Sequence, residues 1–175
     1  MSVSAIAKTE KKINELLPKS PEGMAVTLFV IAMASYYLWR MFAISPNYDE
    51  LYTFYYFISK GPLYSAVHWP LPNNHVGYSI LSSMLYRFGN SYIALRGVSY
   101  VAAIANLILV YRICRKYYSH AIPFGAVVLY ASMQIVNDYS VLGRGYTLAT
   151  TCFLLSIYYI GYICRLGTEK KSYYF

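Results

Sequence analysis

Negative charge is scarce in this chain. Asp and Glu number 7 against 15 Lys and Arg, and the charged residues together make up only 13% of 175 positions. So thin a charge does not suit an ordinary soluble domain, and a bilayer is the expected solvent. Cysteine is sparse too. Cys114, Cys152 and Cys164 fall in or beside apolar runs, two of them next to Arg, and offer neither a disulfide framework nor metal-ligand spacing. They are expected to be buried or interfacial thiols, with reversible palmitoylation of the flanking pair as the alternative. Internal repeats, low-complexity tracts and a soluble domain are all missing. The net charge of +8 raises the question of nucleic acid, but Lys and Arg gather at the ends of apolar runs and form no stripe along one helix. No nucleic-acid partner is expected; anionic lipid is the expected counterpart.

What is abundant is apolar and aromatic: 58% hydrophobic residues, 18% aromatics and 22 Tyr. Tyrosine joins an apolar ring to a polar tip, which suits a bilayer interface and also the faces of sugars. The pattern predicts an all-α polytopic membrane protein with four transmembrane helices and a long first outward loop containing interfacial helices. Residues 1–23 form a cytosolic amphipathic segment, with Lys8, Lys11, Lys12 and Lys19 around Ile6, Ile13, Leu16 and Leu17. Residues 24–44 are the first span, and no small-residue cleavage pattern follows it, so it is retained. The loop covers 45–91, with interfacial helices at Tyr48 to Ser59 and Val76 to Phe88 joined by a Pro-rich connector from Gly61 to Asn74. The remaining spans are 92–111, 117–136 and 146–164, each near the ~20 residues a bilayer requires. An outer turn at 137–145 and a cytosolic tail at 165–175 complete the layout. With the N-terminus cytosolic, this arrangement puts the N-terminal lysines, Arg112-Arg115-Lys116 and Arg165-Lys170-Lys171 on the cytosolic side; a crossing at Val76 to Phe88 would break that agreement.

In this layout Asp49, Glu50 and Asp138 are the acids at the outer face. A loop as long as 45–91 is uncommon without a function. Asp49-Glu50 follows Ser45-Pro46-Asn47-Tyr48 and opens an aromatic helix, so helix capping is one explanation of the pair. The other is chemistry: one carboxylate as general base or metal ligand at a membrane-surface site. His68, Asn73, Asn74, His75, Arg96, Asp138, Arg144 and Tyr146 share the predicted outer layer. His75 is either solvated, or a donor to phosphate oxygen, or a ligand to a divalent metal together with Asp49. Arg96 and Arg40 have snorkelling as their default. Arg144 sits between Gly143 and Gly145, which leave its guanidinium accessible for a bidentate phosphate contact. A transporter or channel fragment is disfavoured, because the spans hold few central ionisable groups and Asn106 is readily a helix-packing hydrogen bond.

These residues stand in an order that resembles the GT-C membrane glycosyltransferases, in the branch of protein O-mannosyltransferases and lipid A aminoarabinose transferases. The first span ends in Ser45-Pro46-Asn47-Tyr48-Asp49-Glu50. An Asn-His element, Asn74-His75-Val76-Gly77-Tyr78, precedes a Tyr-rich helix and the turn Tyr86-Arg87-Phe88-Gly89-Asn90-Ser91. Ala94-Leu95-Arg96 enters a span that finishes in Val110-Tyr111-Arg112, and Tyr139 with Arg144-Gly145-Tyr146 opens the last span. The chain matches that family's N-terminal portion. It departs from the pattern at Val76-Gly77, where many relatives carry Pro after the His, and at Gly143 and Gly145, where larger residues are common.

The resemblance implies an inverting transfer of a sugar from a polyprenyl-phosphate donor to a glycan, protein or lipid acceptor at the extracytoplasmic face. It implies Asp49 as catalytic carboxylate with Glu50 in support. It assigns His75, Asn74, Arg144, Tyr146 and Arg96 to the lipid phosphate and substrate, with a divalent metal at Asp49 and His75 left open. Family members are several times longer, so this chain is expected to be part of a larger enzyme. The alternatives are a split enzyme completed by a second chain that supplies further spans, and a non-catalytic scaffold or degenerate fragment.

Overall fold

The computed structural model describes residues 20–68, 74–119 and 121–171, with side chains as far as Ile163. The expected amphipathic segment before Ser20, the Trp69 to Asn73 part of the connector, and the side chains of Cys164 and the tail lie outside the described residues. Every regular element among them is helical: α1 Pro21–Ala43, α2 Tyr48–Tyr56, a 3-10 turn Ile58–Lys60, α3 Pro62–Val67, α4 Val76–Tyr86, α5 Ser91–Tyr117, α6 Ile122–Ser132, α7 Gln134–Ser140 and α8 Tyr146–Lys171. Among the described residues, three helices are long and apolar enough to cross a membrane: α1, α5 and the Tyr146–Ile163 stretch of α8.

Local chemistry explains the boundaries. Ser20 caps α1 by accepting from Gly23 N at 3.1 Å, with Pro21 at the first helical position, where its missing N–H costs nothing. Asn47 and Glu50 form a reciprocal capping box at the start of α2: Glu50 N donates to Asn47 Oδ1 at 2.8 Å, and Asn47 N to Glu50 Oε2 at 3.0 Å. Asn90 caps α5 through Ile93 N at 3.0 Å. The sequence pattern missed α3, which lies within the expected connector and starts on Pro62.

The region 117–136 differs from the continuous helix expected there. α6 starts only at Ile122 and is interrupted at Met133, whose backbone is extended (φ −67°, ψ 124°). Its 11 residues span about 16 Å, short of the ~30 Å hydrocarbon layer. Side chains take over the carbonyls that a continuing helix would have used. Asn137 Nδ2 donates to Ala131 O at 2.6 Å and to Met133 O at 3.1 Å, and Ser132 Oγ donates to Leu129 O at 2.8 Å.

The centre of the bundle is α5. Of its most apolar stretch 61% is buried, against 17% for α1 and 6% for α8, so α5 is the helix around which the others pack. It buries Ala94, Gly97, Ser99, Ala102 and Ala103, small residues that let neighbouring helices approach closely. Arg115 Nη1 meets Glu22 Oε2 at 2.8 Å, while Arg96 at the other end reaches the last carbonyls of α1, so α1 and α5 are antiparallel. α8 runs parallel to α5: Ser99 Oγ donates to Arg144 O at 3.1 Å and Lys116 Nζ to Tyr158 O at 3.1 Å. One core joins Tyr37 and Met41 of α1 with Leu107 and Val127; a second joins Phe54, Ile58 and Tyr78 with Leu95 and Val98. The second core holds α2, which carries Asp49 and Glu50, and α4 against the N-terminal end of α5.

Candidate active site

At that end of α5 a buried ion pair is the joint of the fold. Arg96 Nε donates to Glu50 Oε1 and Arg96 Nη2 to Glu50 Oε2, each at 2.8 Å, with both residues 1% exposed. Arg96 Nη1 donates to Met41 O at 2.9 Å and Ile44 O at 2.7 Å, and Nη2 reaches Ser45 O at 3.4 Å. All five guanidinium N–H groups are engaged. One side chain therefore satisfies the last carbonyls of α1 while its partner carboxylate caps α2, which removes the usual cost of buried helix ends. Gly143 N adds a hydrogen bond to Glu50 Oε1 at 2.6 Å. A Cβ on Gly143 would lie 2.9 Å from that oxygen and 2.8 Å from Leu95 Cγ, so only glycine lets this strand of backbone come so close.

Every donor of the Arg96 guanidinium is thus held by Glu50 and by backbone carbonyls at and after the end of α1, and the Glu50 carboxylate is held in turn by Arg96, Asn47 and Gly143. The capping explanation of the Asp49-Glu50 pair applies to Glu50, whereas Asp49 is exposed, and among the described residues its carboxylate has neither a hydrogen-bond nor an ion-pair partner.

A second group adjoins the joint through Gly143-Arg144. Arg144 is 7% exposed, and its Nη1 donates to Thr53 Oγ1 at 3.2 Å; Thr53 Oγ1 donates to Asp49 O at 2.9 Å. Thr53 thus connects the backbone of Asp49 to the guanidinium one helical turn away. His75 stands at the start of α4 with its ring edge-on to Tyr146, centroids 5.0 Å apart, and Tyr139 packs on the other ring neighbour of that pair, 4.8 Å from Tyr146. Gly145 passes so near His75 that an added Cβ would be 2.9 Å from His75 Cβ. The glycines on both sides of Arg144, which depart from the resembled family pattern, are each required here by close approach. Burial, and then the Arg144 charge, hold the His75 pKa below the ordinary histidine value. His75 is therefore neutral near pH 7, with one nitrogen to donate and one to accept.

Of the residues singled out from sequence, His75, Arg144 and Tyr146 come together, and Asp49 joins them through Thr53. Asn74 lies behind them: its Nδ2 donates to Ser65 O at 2.9 Å and its Oδ1 accepts from Ser79 Oγ at 2.7 Å, tying α3 to α4. His68 leaves the group and lies against Tyr64, ring centroids 4.4 Å apart. Asp138 pairs with Arg40 at 3.1 Å. Sequence reasoning missed Thr53 and noted Tyr139 only as part of the family-like turn, with no role; Thr53 has a signal in its position four residues after Asp49, which puts both on one helix face. Among the described residues no three His, Cys, Asp or Glu side chains gather, so a metal at Asp49 and His75 would need further ligands.

A family model described as dolichyl-phosphate-mannose-protein mannosyltransferase matches residues 75–175. That stretch begins at His75 and includes Arg96, Arg144 and Tyr146. No curated protein and no solved structure matches the chain.

Proposed function

Because this chain belongs to the dolichyl-phosphate-mannose-protein mannosyltransferase family, and so to the membrane glycosyltransferases, we propose that it transfers a sugar from a polyprenyl-phosphate donor to an acceptor hydroxyl at the extracytoplasmic membrane face, with inversion. The N-terminus is then cytosolic. In this reaction Asp49 takes the proton of the acceptor O–H as that oxygen forms a bond to the anomeric carbon. The bond from that carbon to the phosphate oxygen breaks, and the electron pair leaves with the lipid phosphate. Charge develops on the phosphate, where Arg144 and the N–H of His75 supply preorganised stabilisation and Tyr146 closes the apolar side. A neutral His75 suits this role, since it donates without requiring a second buried cation beside Arg144.

The observation that carries the proposal is the difference between the adjacent acids. Glu50 is held by Arg96, Asn47 and Gly143, while Asp49 is open to solvent one Thr53 hydroxyl away from Arg144. Asp49→Asn in reconstituted vesicles supplied with polyprenyl-phosphate mannose is expected to retain its fold and lose transfer. Transfer at the wild-type rate removes Asp49 from catalysis. A second reading, a non-catalytic subunit completed by another chain, draws on the open face of α8, where Phe153, Tyr159, Ile160 and Ile163 are exposed. It requires that Asp49→Asn have no effect and that a second polypeptide copurify with this one.

A further inference from the structure

One side of the central helix stays uncovered, and it runs toward the end of the bundle away from Arg144. Val101, Ala105, Ile108 and Arg112 recur at steps of four, three and four residues, which puts them on one face of α5. Val101 is 63% exposed and Ile108 38%, and Arg112 is exposed as well. Neighbouring elements bound this strip. α4 packs over Ala94, Leu95 and Val98 at its N-terminal end. On one flank Tyr37 and Met41 of α1 pack with Ala103 and Leu107. On the other, α8 receives Asn106 Nδ2 on Thr147 O at 3.2 Å, and its Thr151 Oγ1 reaches Ala102 O at 3.4 Å. Val101 to Arg112 is thus an open strip between α1 and α8.

The foot of the strip is basic. Arg115 and Lys116, on the next turn of the same face, each brace one flanking helix. Arg115 Nη1 meets Glu22 Oε2 of α1 at 2.8 Å. Lys116 Nζ lies 3.5 Å from the centroid of the Tyr158 ring of α8 and donates to Tyr158 O at 3.1 Å. Each brace uses one donor of its cation, and the others stay free. Arg112, at the middle of the face, has no hydrogen-bond or ion-pair partner among the described residues. Glu22 is the one acid paired with these three cations there, so the foot is left positive.

Strip and foot have the dimensions of one lipid. From Val101 to Arg112 the helix rises about 16 Å, close to the ~15 Å that half a bilayer's hydrocarbon presents. An acyl chain laid on the strip brings a headgroup phosphate to the Arg112 guanidinium, whose planar fork suits phosphate oxygens. Surplus positive charge favours an anionic headgroup over a zwitterionic one, whose own cation is repelled.

We propose that this strip binds an anionic diacyl phospholipid from the leaflet at the Arg112 end. Its phosphate sits on Arg112 between Arg115 and Lys116, and an acyl chain follows Ile108, Ala105 and Val101. The bound lipid joins α1, α5 and α8 at the end remote from Asp49, and neither depends on sugar transfer nor takes part in it.

The test is native mass spectrometry of the detergent-solubilised full chain, titrated with dioleoyl phosphatidylglycerol and, separately, with dioleoyl phosphatidylcholine. Wild type is expected to bind phosphatidylglycerol about tenfold more tightly. Arg112→Gln is expected to weaken phosphatidylglycerol about fivefold and to leave phosphatidylcholine within about twofold. Arg87→Gln removes an exposed cation beyond the other end of α5 and is expected to change neither. Val101→Asn, at the most exposed point of the strip, is expected to weaken both lipids about threefold. Equal affinity of wild type for the two lipids overturns the proposal. So do equal losses in Arg112→Gln and Arg87→Gln, which would reduce the effect to net charge, and unchanged lipid binding in Val101→Asn. Displacement of the lipid by millimolar inorganic phosphate would reveal a free-anion site and overturn it too. A second copy of this chain, or another polypeptide, on the strip would appear as a higher mass free of phosphatidylglycerol, with the same consequence.

Discussion

The backbone N–H of Gly143 points at Glu50 Oε1 over 2.6 Å, and the same oxygen receives Arg96 Nε at 2.8 Å. Residues far apart in the chain are thereby locked together: the end of α1, the start of α2, the N-terminal end of α5 and the turn that presents Arg144. The shape of the site depends on this contact, although the contact performs none of the proposed chemistry.

Arg96→Met leaves the Glu50 carboxylate buried with one N–H partner from Gly143 and one from Asn47, and frees the last carbonyls of α1. A loss of about 3–5 kcal/mol in unfolding free energy is expected, as for other broken buried pairs. Denaturant titration in detergent measures it. A loss under about 1 kcal/mol would show that the pair does not hold the fold.

Thr53→Val keeps the volume of the side chain and removes the hydroxyl between Asp49 O and Arg144 Nη1. Stability is expected to fall by about 1 kcal/mol and transfer by about tenfold or more, because Arg144 loses an acceptor that orients it. Equal effects on kcat and kcat/KM would place the loss in the transition state; an effect on KM alone would make Thr53 a binding residue.

His75 titrates below the ordinary histidine value because of burial first and the Arg144 charge second. The folded state thus binds fewer protons than the unfolded state between the two pKa values. Stability from this site is fully present above the ordinary histidine pKa and declines as pH falls through the window down to the lowered one. His75→Gln is expected to flatten that acid slope. Arg144→Gln is expected to raise the His75 pKa without restoring it fully, since burial remains; the imidazole proton signals followed by NMR against pH report both. An unchanged His75 titration in Arg144→Gln contradicts the electrostatic coupling.

Gly145→Ala forces a Cβ to within 2.9 Å of His75 Cβ. The histidine must move, at a cost of about 1–3 kcal/mol if the backbone resists. Transfer is expected to fall by more than the change in stability accounts for, because a displacement near 1 Å at the phosphate side misaligns the reacting groups. Activity and melting temperature that fall in proportion would count against a positioning role for this approach.

Much of this architecture was legible in local sequence. Apolar runs of membrane length marked α1, α5 and α8, and Asp49-Glu50 directly after Ser45-Pro46-Asn47-Tyr48 marked the start of α2. The order of Asp49, His75, Arg96 and Arg144 led to the family. What local pattern missed is equally specific. Residues 117–136 read as one apolar run, and the break inside it at Met133, where Asn137 captures the carbonyls of Ala131 and Met133, has no local signature. α3 was hidden because six residues around Ser65 carry too few turns to show a period.

The amino-acid order determined which segments are helical and apolar and that two acids stand together at the head of α2, because propensity, capping and hydropathy act over a few residues. Tertiary packing decided which of the two acids is a joint and which is open, and that Arg96 pairs with Glu50 while Arg144 lies beside His75. Glu50 and Arg96 are 46 residues apart, and Gly143 lies 93 beyond Glu50. Their meeting depends on the register at which α1, α2 and α8 pack against α5, a property of whole helix faces that no short stretch of chain contains.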